Sequence, residues 1–471
     1  MVVRRKKYRP WNPRSYRNLA LTPQQRLPEG DLVFFLLDVI EQLDLEPFYS
    51  SYEVETRGAP PFDPGMLVCL LLYSYCVGVY SSRKIAKACQ RNLAFIAIVG
   101  DDPPDFRTIS DFRKGHLDAF AELFIEVLRL AAEMGMVGLG NLAFDGSKFK
   151  ANASRHKAMS YGYMTKEEER LKGEIKSLLE QAQQTDSQED GALGSKRGDE
   201  LPQELQRREE RLATIVAAKA RLEEQARADA QAERQRRAEE EAERQRTGKK
   251  RRGKEPKPVS DLPEDKAQTS FTDPEAKIMP QSNKGWDYSG NAQMTVDATA
   301  QIIIACFVTA ASNDKEQAAP LAQATLENLA AAEVALPRDE VGEAKKIPAT
   351  LDSGYYSEKA AGEMETLGFD PHMATGRQKH NQGKSTTTAQ TPAKTPAQAT
   401  AKEQMAAKLR TPHGQALYAR RKVIVEPVFG QIKAARGFRQ FSLRGLEKMN
   451  GEWRLVCLTH NLLKIWRRQC A

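Results

Sequence analysis

Several things are missing from this sequence, and each absence removes a class of protein. Among the six cysteines, Cys69, Cys76, Cys89, Cys306, Cys457 and Cys470, no two form a Cys-x-x-Cys pair, and the six histidines do not stand at zinc-finger spacing from them. A disulfide scaffold and a structural zinc site are therefore not expected, and free thiols in a reducing compartment are. The basic start, Met1 to Pro10, is not followed by an apolar signal core. The longest apolar run, Met66 to Tyr80, includes Ser and Tyr. It falls short of the roughly 20 residues that span a bilayer, so it reads as a buried core helix of a cytoplasmic protein, with no membrane partner.

What is present is charge. The 471 residues are 28% charged and 40% apolar, with 71 Lys and Arg against 63 Asp and Glu, a net charge of +8. That mix predicts a folded protein with solvated, charge-rich segments, and the length predicts two to four structural units at roughly 150 residues each. The basic balance is compatible with a polyanionic partner without requiring one.

Along the chain, residues 1–25 read as a basic arm. Leu32, Phe35, Leu36, Val39, Ile40 and Leu43 recur at helical steps. Further helices are expected from Pro64 to Tyr80, from Ser81 onward with a hydroxyl N-cap, and from Thr108 to about Met134. Residues 26–136 thus form an all-helical unit. The pattern then switches to strands: Gly138 to Phe144, ending at Asp145-Gly146; Asn291 to Asp297; Gln301 to Ala310; and Ile347 to Leu351, ending at Asp352-Ser353-Gly354. Helices begin at Asn313-Asp314, read as a cap, and at Ser357, and a short strand follows near Met373. Strands alternating with helices after a hairpin indicate an α/β (α+β) domain with a mixed sheet, formed by 137–162 and 271–471.

Two segments interrupt it. Residues 163–270 hold a charged helical hairpin or coiled coil with linker, its stripes being Leu171, Ile175, Leu178, Leu179 and Leu205, Leu212, Val216, Leu222. The basic run Lys249 to Lys254 is either a solvated linker or a phosphate-contacting patch. Residues 380–404 lack periodicity and read as a disordered loop.

An acid directly after a buried strand stands at the sheet's carboxyl edge, where open α/β sheets place their ligands. Asp145 and Asp352 fit, although turn chemistry uses the same residues. The glycines that follow allow close backbone approach. Glu426 sits among apolar neighbours, where a carboxylate needs a cation, either a metal or an Arg or Lys. Pro427 makes Glu426 a residue that opens or precedes a helix. Lys422 and Lys433, four residues before and seven after, would share its face if the helix were continuous.

These pieces resemble the DDE transposases of bacterial insertion sequences. The resemblance rests on FDGSKFKANAS, NKGWDYSGNAQMTVDA, TLDSGYYS and YARRKVIVEPVFGQIK, in that order, and on the helical unit with TISDFRKGH before the first acid. It covers nearly the whole chain outside 163–270 and 380–404. The family's signature is Tyr, two residues, Arg, three residues, Glu, six residues, Lys. Tyr418, Arg421, Glu426 and Lys433 match it, except that four residues separate Arg421 from Glu426, and Lys422 has the expected spacing instead.

The resemblance implies an RNase H-like catalytic domain, with Asp145, Asp352 and Glu426 holding two Mg²⁺ or Mn²⁺ ions and Lys433 and Arg421 at the DNA phosphate or developing charge. It implies cleavage at terminal inverted repeats and strand transfer, on double-stranded DNA at element ends and target, by a homodimer on DNA associated with the bacterial nucleoid. Tyr418 and Lys422 are candidate DNA contacts. Arg83, Lys84, Lys87, Arg107 and Arg113 are read as the DNA face of the helical unit, with a solvated face as the competing reading. Trp286 is read either as a base-stacking residue or as a packed aromatic. Alternatives are a catalytically silent DNA-binding derivative, a metal-dependent nuclease without joining activity, and a coiled-coil interaction protein built on the hairpin.

Overall fold

The computed structural model describes residues 9, 22–53, 60–154, 157–190, 203–248, 257–281, 284–376 and 399–470. Most of the 1–25 arm, the 249–254 basic run and residues 380–398 of the expected loop lie outside them. The chain divides into two units, 1–151 with 279–285 and 289–471, and 152–278 with 286–288.

Among the described residues, the first unit begins with eight helices: α1 Pro23–Arg26, α2 Leu32–Ile40, α3 Glu46–Glu53, α4 Pro64–Cys76, α5 Ser82–Cys89, α6 Leu93–Val99, α7 Phe106–Gly115 and α8 Leu117–Glu133. The apolar run became α4, buried along its whole length, with Asp63 capping it and Pro64 in its first turn. It stops before Tyr80. Gly78 takes φ +79°, and a Cβ there would lie 2.5 Å from the Arg436 carbonyl oxygen. Only glycine suits both the conformation and the approach. The single helix expected from Thr108 is two. Asp105, not a hydroxyl, caps α7 by accepting from the Arg107 and Thr108 N–H groups, and the chain breaks at His116. Ser81 occupies the N-cap of α5 without a side-chain cap bond.

The sheet follows. Its strands are β1 Leu142–Lys150, then, after two short strands and two helices described below, β4 Lys277–Pro280, β5 Trp286–Asp297, β6 Ile303–Thr309, β7 Ile347–Leu351 and β8 Phe369–Met373. The order is β6-β5-β1-β7-β8, with β4 also beside β5. β5 is antiparallel to β1 and β6, whereas β1, β7 and β8 run parallel. Three antiparallel strands continued by two parallel ones make an RNase H-like sheet. The helices of this part are α11 Ala318–Ala331, α12 Glu358–Thr366, α13 Ala401–Arg410, α14 Pro412–Ile424, α15 Glu426–Gly430 and α16 Leu446–Gln469, with a π turn at Gln431–Ala435. The capping box of Thr400 and Glu403 starts α13, so the end of the expected 380–404 loop is helical.

Helix α16 packs against α4, α8 and β6. Buried ions join these elements. Arg113 donates to the Tyr75 hydroxyl at 3.0 Å and to the Tyr80 carbonyl at 2.8 Å, and Tyr75 donates to Glu452 at 3.0 Å. Arg436 donates to the Tyr75 and Val456 carbonyls. Such charges are tolerated inside because each has partners.

The second unit pairs β2 Ala158–Ser160 with β3 Gln268–Ser270 and packs α9 Tyr161–Asp190 against α10 Gln203–Thr247. Its small core is Met164, Leu171, Ile215 and Ala218, with Leu212 and Leu222 packed beside it. Leu179 and Val216, expected in the stripes, are exposed, and Ile215 faces inward instead. Glu168 meets Lys219 and Glu174 meets Arg208, so the helices run antiparallel.

Candidate active site

Strands β1 and β7 are neighbours, and their parallel pairing ends at Phe144 with Leu351. The next residues are Asp145 and Asp352, so two acids 207 positions apart leave adjacent strands at the same level. Contrary to the sequence expectation, β1 does not end there. It continues against β5 to Lys150, so Asp145 stands within a strand whose β7 side has opened. The Asp145 Oδ1 accepts from the Gly146 N–H at 2.9 Å, leaving Oδ2 to face outward.

Glu426 comes from the break between α14 and α15. Pro427 cannot continue α14, and Glu426 opens the next helix. Its side chain is 53% exposed, which corrects the expectation of burial among apolar neighbours. The same break answers the spacing departure. Five residues apart across it, Arg421 and Glu426 still face each other.

One guanidinium meets all three acids. Arg421 Nη1 lies 3.2 Å from Asp145 Oδ2, and its Nη2 lies 3.9 Å from Asp352 and 3.8 Å from Glu426. The Arg421 side chain is 8% exposed, and its Nε has no hydrogen-bond partner. Burial pushes the Asp145 carboxyl up to about 6, against the pull of Arg421. Tyr418, half-buried, lies close enough to Arg421 to sense its charge. Lys422, on the same helix, is exposed.

Lys433, in the π turn, donates to Ser147 Oγ at 2.6 Å and to the Lys148 carbonyl at 2.9 Å. Its ammonium stands 4.3 Å from the Phe149 ring centre. Burial lowers it to about 8. It is thus held two residues along the strand from Asp145.

The structure also brings in residues that sequence reading missed. Asp314 does not cap a helix, because α11 begins at Ala318 behind Gln317. Its carboxylate accepts from Asn291 and Gln293 beside Gly146. The signal available was the wholly polar face of a buried strand, Ser289, Asn291, Gln293, Thr295 and Asp297 alternating with Ala292, Met294 and Val296.

The remaining candidates separate. Arg83, Lys84, Lys87 and Arg107 are exposed on α5 and α7, two helices packed together. Arg83 and Arg107 lie over the half-exposed Phe106 ring at 5.1 and 5.8 Å. Arg113 is 4% exposed and committed to the core, so it is not on that face. Trp286 is 57% exposed, not a packed aromatic. It lines a groove of the second unit, of ≈ 1460 Å³, where Glu224, Asp229, Glu233, Glu264 and Glu275 outnumber Arg221, Lys266 and Lys277. Such a lining is poorly suited to phosphate.

Two family models match the chain. Transposase domain (DUF772) matches residues 21–115, and Transposase DDE domain matches residues 377–466. The chain carries transposase domains at both ends. The first match spans the helical region through α7, and the second spans Tyr418, Arg421, Glu426 and Lys433, so the resemblance to DDE transposases holds on independent stretches. Transposase domains of this kind imply DNA as partner and a nuclease or transposase activity. Asp145 and Asp352 lie outside both matches. No curated protein and no solved structure matches the chain. Among the described residues, no helix is long and apolar enough to cross a membrane.

Proposed function

We propose that this transposase cleaves DNA at the terminal inverted repeats of an insertion sequence and joins the freed ends to target DNA. The observation that carries the reading is the convergence of Asp145, Asp352 and Glu426, from three distant segments, on one cation.

The DDE family generally uses divalent metal ions. Here the donor set is wholly carboxylate oxygen, which suits Mg²⁺ or Mn²⁺. Among the described residues, no three acids, histidines or cysteines lie close enough together to hold an ion. They surround the Arg421 guanidinium instead, which supplies the positive charge the pocket calls for. Asp145 would serve both ions, Asp352 one and Glu426 the other. Bound there, paired ions would activate the attacking oxygen and offset charge on the leaving oxygen.

The chain's own groups do the rest. The Gly146 N–H holds one oxygen of Asp145 and leaves the other facing the pocket. Arg421, which faces all three acids, is the group placed to meet phosphate charge. Lys433, anchored by Ser147, would hold a DNA phosphate on the strand side. Tyr418 and Lys422 extend that contact. Arg83, Lys84, Lys87 and Arg107 form a DNA-binding face on α5 and α7, whose affinity should fall steeply with salt. A homodimer assembled on DNA would bring two element ends together.

The test uses supercoiled DNA carrying both element ends, with Mg²⁺. Asp145→Ala, Asp352→Ala and Glu426→Ala are each expected to cut nicking by at least about a thousandfold while DNA binding survives. Wild-type levels of nicking by any one of them would remove that residue from the site. Nicking by the wild type without joined products would leave a nuclease, and binding without nicking would leave a silent DNA-binding derivative.

A further inference from the structure

Asp314 lies between β6 and α11, facing the β5 strand. Its Oδ1 accepts from Asn291 Nδ2 at 2.8 Å and from Gln293 Nε2 at 2.7 Å. Gln293 is the cross-strand partner of Gly146. The other end of the Gln293 amide accepts from the buried Tyr355 hydroxyl. Tyr355 ends the 3₁₀ turn Ser353–Tyr355 that Asp352 begins. A chain of hydrogen bonds therefore runs from Asp314 through Gln293 to Tyr355, touching the backbone that follows each strand-end acid.

Gly146 makes room for it, while Gly354 stands at ordinary contact distance from Asp314. A Cβ on Gly146 would lie 2.2 Å from Gln293 Nε2 and 2.8 Å from Asp314 Oδ1, and one on Gly354 would lie 3.7 Å from Asp314 Oδ2. The chain also has a fixed sense. An ionised carboxylate only accepts, so it takes the NH₂ end of Gln293 and turns the carbonyl end toward Tyr355. Both bonds fall on the single oxygen Oδ1, which Asp314→Asn could keep, whereas Asp314→Ala removes the acceptor.

We infer that Asp314 is a positioning residue, which sets the separation and orientation of Asp145 and Asp352 through Gln293 and Tyr355. The inference rests on the proposed metal-dependent reading of those two acids. Asp314 acts through its neighbours, in the way groups behind metal ligands commonly hold them in place.

The test measures Mn²⁺ binding to the full chain without DNA, by calorimetric titration and by electron paramagnetic resonance, alongside the Mn²⁺ dependence of nicking. Asp314→Ala and Tyr355→Phe are each expected to weaken Mn²⁺ binding and raise the half-saturating Mn²⁺ for nicking by about ten- to a hundredfold. The double variant is expected to be no worse than the weaker single one, because both cut the same chain. Tyr355→Phe removes one hydroxyl, so it carries the test should Asp314→Ala fail to fold. Wild-type Mn²⁺ binding and half-saturation in folded Tyr355→Phe would overturn the inference, as would losses that simply add. A wild-type chain that neither binds Mn²⁺ nor nicks DNA would instead take down the functional reading, and this inference with it.

Discussion

The helical hairpin and the sheet edge both carry clusters of charge, in opposite proportions. On the hairpin several carboxylates have two cations each. Glu167 meets Arg170 and Arg211, and Glu168 meets Lys172 and Lys219. Their hydrogen bonds to Arg170 and Lys172 hold both carboxyls below the usual range. At the sheet edge three carboxylates share the single guanidinium of Arg421. There burial dominates, and Asp145 is pushed up to about 6 rather than down. The hairpin's charges satisfy one another and act as structure. At the sheet edge carboxylates outnumber the guanidinium, and the proposed metal site rests on that imbalance.

This contrast can be tested from both sides. Among the cations, the largest effect is expected at Arg421. Arg421→Ala should lower nicking about a hundred- to a thousandfold, measured on the same DNA, because the group that meets developing charge is gone. A variant with unimpaired nicking would leave Arg421 as a structural counter-ion only.

Next comes the hairpin's thin core. Leu171 is 1% exposed among few apolar partners, so Leu171→Ala should cost about 2–4 kcal/mol, read from denaturant unfolding of that unit. A negligible change would mean that the ion pairs, not the core, hold the helices together.

Asp145→Asn should do the reverse in the metal-free protein, adding about 2 kcal/mol at pH 7 while abolishing nicking. Between pH 4 and about 6 the folded protein holds a proton on Asp145 that the unfolded chain has released. Wild-type stability should therefore fall as pH rises through that window and level off above it, and the variant should lack this slope. Unfolding midpoints across pH 4–8 would decide the matter, and equal slopes would contradict it.

The smallest effect is expected where a hairpin pair is most exposed. Lys176 and Glu180 are 3.9 Å apart and open to solvent, so Lys176→Ala should change stability by no more than about 0.5 kcal/mol.

Much of the fold was legible because local patterns carry it. The α4 run, the β6 run and Asp352 at the end of its strand are read from neighbours in sequence, and the structure kept them, whereas it set Asp145 within β1. Boundaries were less legible. Thr108 was read as a helix start, but Asp105 had the better carboxylate for two N–H groups. Arg113 was read as surface because cations usually are, and Tyr75 with Glu452 drew it inside from residues 38 and 339 positions away. In the hairpin, Val216 and Ile215 are equally apolar. Which of them faces in depends on the phase of the partner helix.

By itself the sequence determined most of the elements, the acids that directly follow two buried apolar runs, and the break that Pro427 imposes beside Glu426. These follow from periodicity, turn chemistry and a ring that cannot continue a helix, all of them local. Only the tertiary structure decided that β1 and β7 lie side by side in parallel, which sets Asp145 level with Asp352. Only it turned Arg421 onto all three acids and drew Asp314 away from a helix end to the amides of β5. Those outcomes depend on strand order and on how helices seat against a sheet, and backbone pairing between distant segments is written in no single stretch of chain.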